Sequence, residues 1–328
     1  MRPSGARTAA SAIAALSLLA TASAADDGFA VPAWPYPGNT PAPAAAPPSD
    51  DMALLRVPNS GEAFTRAQVT DLFAPPDWHP DSHPPMPVVV AHGRKPSVYA
   101  CGYCHLPSGT GRPENAALAG LPAGYITAQI ADFRSGARRS AWHGPYKPTD
   151  LMRSSAENAT DEETAAAADY FSKLPMTRRV EVFEATDVPR TREIGWLYVP
   201  IEDGGTEPLG QRIIEVPLDH ERHQLRDSAS GFRAYVPAGS IARGKEIVQG
   251  GGDGLTVACV SCHGPDLRGA GLIPPLAGRS PTYIVRQLLA FRTGARATVA
   301  GQPMLPVVQR LAREDMIAVA AYAAAQEP

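Results

Sequence analysis

Four cysteines, arranged in two matching patterns, constrain this chain more than any other feature. They lie in Cys101-Gly102-Tyr103-Cys104-His105 and Cys259-Val260-Ser261-Cys262-His263, and the 328 residues contain no other cysteine. Cys-x-x-Cys-His is the attachment pattern of c-type haem, in which both thiols bond to one porphyrin and the adjoining imidazole binds its iron. A dithiol redox pair or half of a zinc site would also contain Cys-x-x-Cys, but neither needs the following His, and a zinc site would need further ligands nearby. The motifs therefore predict two covalently bound haems, with His105 and His263 as iron ligands.

The sequence around the two motifs is an internal repeat. His263 lies 158 positions after His105, and the same offset relates many residues that follow. The matches are Leu118-Ala119-Gly120 with Leu276-Ala277-Gly278, Tyr125-Ile126 with Tyr283-Ile284, Gln129 with Gln287, Phe133-Arg134 with Phe291-Arg292, and Gly136-Ala137-Arg138 with Gly294-Ala295-Arg296. Chance similarity does not preserve aromatic, glycine and arginine positions together with both motifs, so the chain contains two copies of one domain.

Local signals in each copy favour helices. In the second copy an apolar stripe at helical spacing runs through Ile284, Leu288 and Phe291, preceded by Ser280-Pro281 as cap and first turn. The stretch Thr160-Asp161-Glu162-Glu163 has the pattern of a capping box.

The predicted fold class is mainly α: two tandem domains joined by a long, irregular, partly β connector. The predicted divisions are a signal peptide at 1–24, a Pro/Ala-rich and poorly ordered tether at 25–60, a first haem domain at 61–174, the connector at 175–236 and a second haem domain at 237–328.

The N-terminus has the pattern of a secretory signal. Arg2 and Arg7 precede an apolar run at residues 9–20 and a small-residue cleavage site at Ala22-Ser23-Ala24. The run is short for a spanning helix, so we expect cleavage near Ala24, a periplasmic location and no membrane span in the mature chain; an uncleaved anchor is the alternative. A formal net charge of −3 lacks the basic excess typical of nucleic-acid binders.

Methionines are the predicted sixth iron ligands. Met304 precedes Tyr322 by 18 residues and Met152 precedes Tyr170 by 18, so the two methionines occupy matched positions. A Met thioether raises the reduction potential of haem and fills its coordination sphere. The alternative for a methionine is core packing, and His143, near a short insertion in the first copy, is the main rival of Met152.

With these residues, the chain resembles the class I cytochrome c family in its soluble, two-haem periplasmic form, over about residues 84–173 and from 238 to the C-terminus. In that family a proline after the haem motif offers its carbonyl to the proximal imidazole. The resemblance assigns this role to Pro275, whereas the first copy has Ala117 at the matching position.

The same resemblance concerns helix packing. The family packs a small residue of its first helix against an aromatic residue of its last helix, and Gly244 and Tyr322 fit this pattern. The first copy has Met86 opposite Tyr170, with prolines nearby, so its first helix is expected to be short or displaced.

Recurring arginines and tyrosines are candidate partners for the haem propionates, since a guanidinium fork matches a carboxylate. The alternative for an arginine is a solvated position on an amphipathic helix. The candidates are Tyr125, Arg134, Arg138, Tyr283, Arg292 and Arg296.

The resemblance implies one-electron transfer from a periplasmic dehydrogenase to an oxidase or another cytochrome. An alternative is a two-haem redox enzyme, peroxidase-like or thiosulfate-oxidising, with a displaceable ligand in the first copy. A third possibility, motivated by the connector and the Pro-rich segment, is a subunit docked permanently on a dehydrogenase. We expect the connector to wrap both haem domains and to shield one face.

Overall fold

Helices form most of both repeat copies in the computed structural model of the chain. The structure describes residues 29–38 and 52–328, so the predicted signal sequence lies outside the described residues. The helices up to the end of the first copy are α1 (Arg66–Thr70), α2 (Val88–Ala91), α3 (Cys101–His105), α4 (Ala123–Ser135), α5 (Lys147–Asn158) and α6 (Asp161–Lys173). Those that follow are α7 (His220–Gln224), α8 (Ser240–Gly254), α9 (Val260–His263), α10 (Pro281–Arg292), α11 (Leu305–Val308) and α12 (Arg313–Ala325). Short 3-10 turns cover Pro80–Ser82 and Val299–Met304.

The ends of these helices follow the sequence signals. Ser280 caps α10 by accepting a hydrogen bond from the Tyr283 amide, with a proline in the first turn. The predicted capping box at Thr160 and Glu163 is present at the start of α6. Helix α4 ends at Gly136, whose φ of 75° is a left-handed conformation that glycine adopts without steric cost.

The two copies differ in their first helix. In the second copy α8 packs along α12, and Gly244 makes the contact possible, because a Cβ there would lie 2.0 Å from the Ala318 carbonyl oxygen and 2.7 Å from Cβ of Tyr322. The expected contact between Gly244 and Tyr322 is confirmed. In the first copy α2 is a single turn of four residues, which confirms the expected shortening.

The segment between the copies contains seven strands. They are β1 (Val180–Ala185), β2 (Asp187–Pro189), β3 (Thr191–Ile194), β4 (Leu197–Pro200), β5 (Thr206–Pro208), β6 (Ile214–Pro217) and β7 (Phe232–Pro237). Strand β7 is central in a three-stranded sheet, parallel to β1 and antiparallel to β6, while β2 with β5 and β3 with β4 form antiparallel pairs. A buried apolar cluster of Val188, Leu209, Ile214 and Val216 lies under these strands.

Part of the Pro-rich N-terminal stretch is packed against the rest of the chain. Tyr36 is buried, stacks on Trp142 at 5.8 Å between ring centroids and meets Tyr146 edge-on at 5.3 Å. The Arg286 guanidinium donates to the Pro35 carbonyl at 3.0 Å. The expectation of a poorly ordered tether is therefore wrong for residues 35–36, because aromatic stacking and a buried arginine hold them.

The two copies also meet directly, within a unit formed by Val31–Pro328. Arg138 and Arg296 form an antiparallel bridge, flanked by hydrogen bonds from the Arg139 amide to the Ala295 carbonyl (2.8 Å) and from the Ala297 amide to the Ala137 carbonyl (2.9 Å). In the described part of the chain, none of the helices has the length and apolar character needed to cross a bilayer.

Candidate haem sites

Each Cys-x-x-Cys-His motif forms one helical turn, α3 in the first copy and α9 with its preceding cysteine in the second. His105 Nδ1 donates to the Ala116 carbonyl at 2.8 Å, and His263 Nδ1 donates to the Pro274 carbonyl at 2.9 Å. Burial lowers the pKa of both imidazoles. Both side chains are thus neutral and oriented through Nδ1, which leaves Nε2 to bind a metal ion.

The carbonyl that orients each imidazole is one residue earlier than expected. The prediction for Pro275 is wrong: its carbonyl accepts from Arg279 Nε at 2.8 Å, and Pro274 serves His263 instead. The acceptor carbonyl lies 11 residues after the histidine in both copies. Both loops therefore place it one residue before the predicted position. The reason is that the turn of the backbone, rather than the position of the proline ring, decides which carbonyl faces the imidazole.

The thiols are unlike those of a redox dithiol. Burial raises the pKa of the Cys101 thiol to about 12 and that of the Cys259 thiol to about 11. Reactive thiolates and metal-binding cysteines need a lowered pKa. Among the described residues, no group of three or more His, Cys, Asp or Glu side chains could hold a metal ion. The raised thiol pKa values disfavour the dithiol alternative.

Both motifs open onto one cavity of about 620 Å³. Its wall includes all the predicted attachment and ligand residues: Cys101, Cys104, His105, Met152, Cys259, Cys262, His263 and Met304. Apolar side chains such as Leu118, Ile126 and Leu288 form much of the rest. His143, the rival of Met152, is exposed and is not part of this wall. Both methionines and both motifs thus line the same cavity, whose apolar wall suits a porphyrin.

The polar part of the wall is a reciprocal cluster formed by both copies. Arg138 donates to the Tyr283 hydroxyl at 2.8 Å, and Arg296 donates to the Tyr125 hydroxyl at 2.9 Å. Both arginines also donate to Gln129, at 2.8 and 2.7 Å. The arginine of each copy therefore bonds to the tyrosine of the other copy, which makes this interface approximately two-fold symmetric.

The reciprocal cluster carries buried positive charge. Arg138 and Arg296 are 7% and 6% exposed, and neither makes an ion pair with a carboxylate of residues 29–38 or 52–328. Nε of Arg296 is buried without a hydrogen-bond partner in that part of the chain. Buried charges are normally compensated. The four carboxylates of two haems would supply this compensation, so the residues present fit the group.

Two of the predicted propionate partners have other roles. Arg134 donates to the Ala156 carbonyl at 3.1 Å and pairs with Asp161 at 3.0 Å, and Arg292 donates to the Gln309 carbonyl. Neither arginine lines the cavity, so the propionate prediction is wrong for both. In each copy this arginine binds a carbonyl at or just beyond the end of the next helix, where a cation is favourable.

Sequence reasoning missed two further buried arginines in the wall. Arg279 donates to the carbonyls of Ala117 and Ala119 at 2.6 and 2.9 Å, and burial lowers its pKa to about 10. Arg286 is 5% exposed. Neither recurs in the first copy, where the offset gives Leu121 and an alanine, so recurrence could not reveal them.

Comparison with known proteins places these sites in a family. Residues 241–325 match the cytochrome c family model. Cytochrome c-554(548) of Halomonas halodenitrificans is 41% identical over 70 residues, which cover 84% of that protein and 21% of this chain. The chain belongs to the cytochrome c family. It is a tandem c-type cytochrome that carries covalently bound haem c, with one attachment motif in each copy, and its function is electron transfer.

Longer alignments link this cytochrome to two other proteins. The thiosulfate dehydrogenase electron acceptor of Stutzerimonas stutzeri is 28% identical over 233 residues, covering 70% of this chain and 80% of that protein. Cytochrome c4 of Azotobacter vinelandii is 24% identical over 229 residues, covering 68% of this chain and 82% of that protein.

Proposed function

We propose that this cytochrome carries single electrons in the periplasm from a dehydrogenase to an oxidase or another cytochrome. The observation that carries the proposal is that both motifs, both matched methionines and the reciprocal cluster line one apolar cavity. Such a site suits transfer, since a fully liganded iron leaves no position for a substrate.

In this proposal the side chains of each copy hold the porphyrin and its iron. Cys101 and Cys104 would bond to the first porphyrin, His105 would bind its iron through Nε2, and Met152 would supply a second iron ligand. Cys259, Cys262, His263 and Met304 would do the same in the second copy. When bound, each haem supplies an iron that accepts or gives up one electron. The carbonyl bonds to Nδ1 fix the orientation of both imidazoles and increase their basicity.

The reciprocal cluster neutralises the propionates in this proposal. Arg138 and Arg296 each present a buried guanidinium in the cavity wall, and the Tyr125 and Tyr283 hydroxyls hold them in place. Gln129 accepts a hydrogen bond from both arginines. A change of charge at one haem site therefore alters the hydrogen bonds at the other.

We also propose the two-domain division at 61–174 and 237–328, with residues 175–236 as a connector that contacts both haem domains. Arg226 donates to the Tyr103 carbonyl of the first motif at 2.8 Å. Glu215 accepts from Ser280 of the second copy at 2.7 Å. These contacts support the proposed shielding role.

The donor we favour is a thiosulfate dehydrogenase. The support is the name and coverage of the Stutzerimonas relative. The test mixes oxidised holo-protein with a purified thiosulfate dehydrogenase and thiosulfate, and follows haem reduction by absorbance. We expect reduction that depends on both enzyme and thiosulfate. Reduction by thiosulfate without the dehydrogenase would instead indicate that this cytochrome is itself a redox enzyme. No reduction in the complete mixture would exclude thiosulfate dehydrogenase as the donor.

A further inference from the structure

Two buried tyrosines in the cavity wall have hydroxyl groups that bond to nothing in residues 29–38 and 52–328. Tyr36 of the N-terminal segment and Tyr146 of the insertion are 5% and 4% exposed, and both line the cavity. Burial raises the pKa of both side chains, so both hydroxyls keep their protons and can donate. Buried polar groups in folded proteins are normally paired. The two hydroxyls therefore indicate an acceptor that occupies the cavity.

Arg286 adds a positive charge beside the two hydroxyls. Its guanidinium carbon lies 5.6 Å from the Tyr146 ring centroid, and its charge acts against the rise in pKa of both tyrosines. Arg286 donates to the carbonyls of Pro35 and Pro113, and it forms no ion pair with a carboxylate in the described part of the chain. A buried guanidinium with two neutral donors suits an anionic acceptor.

The carboxylate of Glu114 is in the same wall, but it does not satisfy these donors. It pairs with Arg112 at 3.1 Å and accepts from neither tyrosine. The propionates are the carboxylates that a haem would bring into the cavity, so one of them is the acceptor that these donors fit.

The position of the tyrosines associates them with the first haem. Tyr146 directly precedes α5, the helix that contains Met152, and Tyr36 stacks on Trp142 of the same insertion. The repeat equivalent of Arg286 is Ala128, so the group cannot recur with the copies exchanged. The N-terminal segment, the insertion and α10 of the second copy thus meet at one place in the wall.

We propose that the hydroxyls of Tyr36 and Tyr146, with the Arg286 guanidinium, hold a propionate of the first haem, so that the N-terminal segment is part of that haem site. This assignment is separate from the reciprocal cluster, which both copies form with recurring residues. It rests on the placement of the first haem in the proposed function, and it adds residues that no repeat comparison could show.

The test compares the holo-protein with Tyr36→Phe, which removes the hydroxyl and keeps the ring that stacks on Trp142. Tyr198→Phe is the matched control, because the Tyr198 hydroxyl donates to the Trp34 carbonyl of the same segment at 3.1 Å and Tyr198 lies outside the cavity wall. The two readouts are the propionate bending band in resonance Raman spectra and a redox titration, in which Met152→Ala identifies the step of the first haem.

We expect Tyr36→Phe to shift the propionate band and to lower the electron affinity of the first haem, because a carboxylate without its donor opposes the added electron more strongly. A loss of about threefold corresponds to about 30 mV, at 59 mV for each tenfold change. Tyr146→Phe should cause both changes, and Tyr198→Phe neither.

Unchanged band and potential in Tyr36→Phe, equal changes in Tyr36→Phe and Tyr198→Phe, or a change confined to the second haem would overturn the assignment. The haem content of the parent separates this result from a failure of the proposed function. A parent without both haems would contradict that function, whereas a parent with both haems and an unchanged band in Tyr36→Phe would contradict only the role of the tyrosines.

Discussion

Replacing Gly244 with alanine should force helices α8 and α12 apart. The added Cβ would lie 2.0 Å from the Ala318 carbonyl oxygen and 2.7 Å from the carbonyl carbon of the same residue. Both atoms are backbone of α12, whose middle is fully buried, so they cannot rotate out of the way as a side chain would. One helix must therefore move by about 1 Å or more to restore an ordinary contact.

The size of the effect follows from two opposing contributions. Overpacking of a buried contact costs about 1–3 kcal/mol, and a backbone obstacle belongs at the upper end. Alanine in a helix regains about 0.5–1 kcal/mol relative to glycine. We expect Gly244→Ala to lower the free energy of unfolding by about 2 kcal/mol. In the same helix, a Cβ at Gly250 would meet nothing within 4 Å, so Gly250→Ala should raise it by about 0.5–1 kcal/mol.

The assay is urea unfolding of the oxidised holo-protein, followed by far-ultraviolet circular dichroism for the parent and both variants. Opposite shifts of the midpoint, down for Gly244→Ala and up for Gly250→Ala, are the expected result. A Gly244→Ala protein that is as stable as the parent would refute the close helix contact. Equal shifts of the two variants would show that glycine's helix propensity alone decides the outcome.

Two further predictions concern the ligands and a buried acid. Met152→Ala and Met304→Ala should each remove half of the methionine–iron absorption of the oxidised protein, and His143→Ala none of it; a loss with His143→Ala would reverse the ligand assignment. Burial raises the pKa of Glu215 by more than the hydrogen bonds from Ser280 and Thr282 lower it. The free energy of unfolding should therefore fall as pH rises from the ordinary glutamate pKa through the raised one. Urea midpoints measured from acid to neutral pH should depend less on pH in Glu215→Gln than in the parent. An unchanged pH dependence would show that other groups cause it.

Local features of the site could be predicted from the sequence because they depend on neighbours in the chain. The haem motifs, the cap at Ser280 and the matched positions of Met152 and Met304 all follow from spacing within one copy. The short first helix of the first copy also followed, since prolines around Met86 limit where a helix can begin.

Contacts between the copies could not be predicted in this way. The repeat shows that Arg138 and Arg296 recur, but not that each reaches a tyrosine of the other copy. That pairing depends on how the two copies pack, which no residue within one copy specifies. The prediction that the Pro275 carbonyl accepts from His263 failed for a related, local reason. The direction of the backbone in a loop is not set by a single side chain.

The N-terminal segment illustrates how composition can mislead. Proline and alanine are typical of extended linkers, yet Tyr36 lies buried between Trp142 and Tyr146. The insertion that disturbs the repeat in the first copy supplies both of these aromatic residues. The aromatic residues Trp34 and Tyr36 in a Pro-rich stretch were the available signal, but the sequence does not show which surface they pack against.

A haem bonded to the cysteines of each motif is the feature on which both sites and their function depend. Intact mass spectrometry of the purified, denatured chain tests it most directly, because thioether bonds survive unfolding whereas iron–ligand bonds do not. We expect a mass increase of two haems in the parent, and of one haem in either Cys101→Ala/Cys104→Ala or Cys259→Ala/Cys262→Ala. A parent chain with one covalent haem or none, or a double variant that still carries two, would contradict this result.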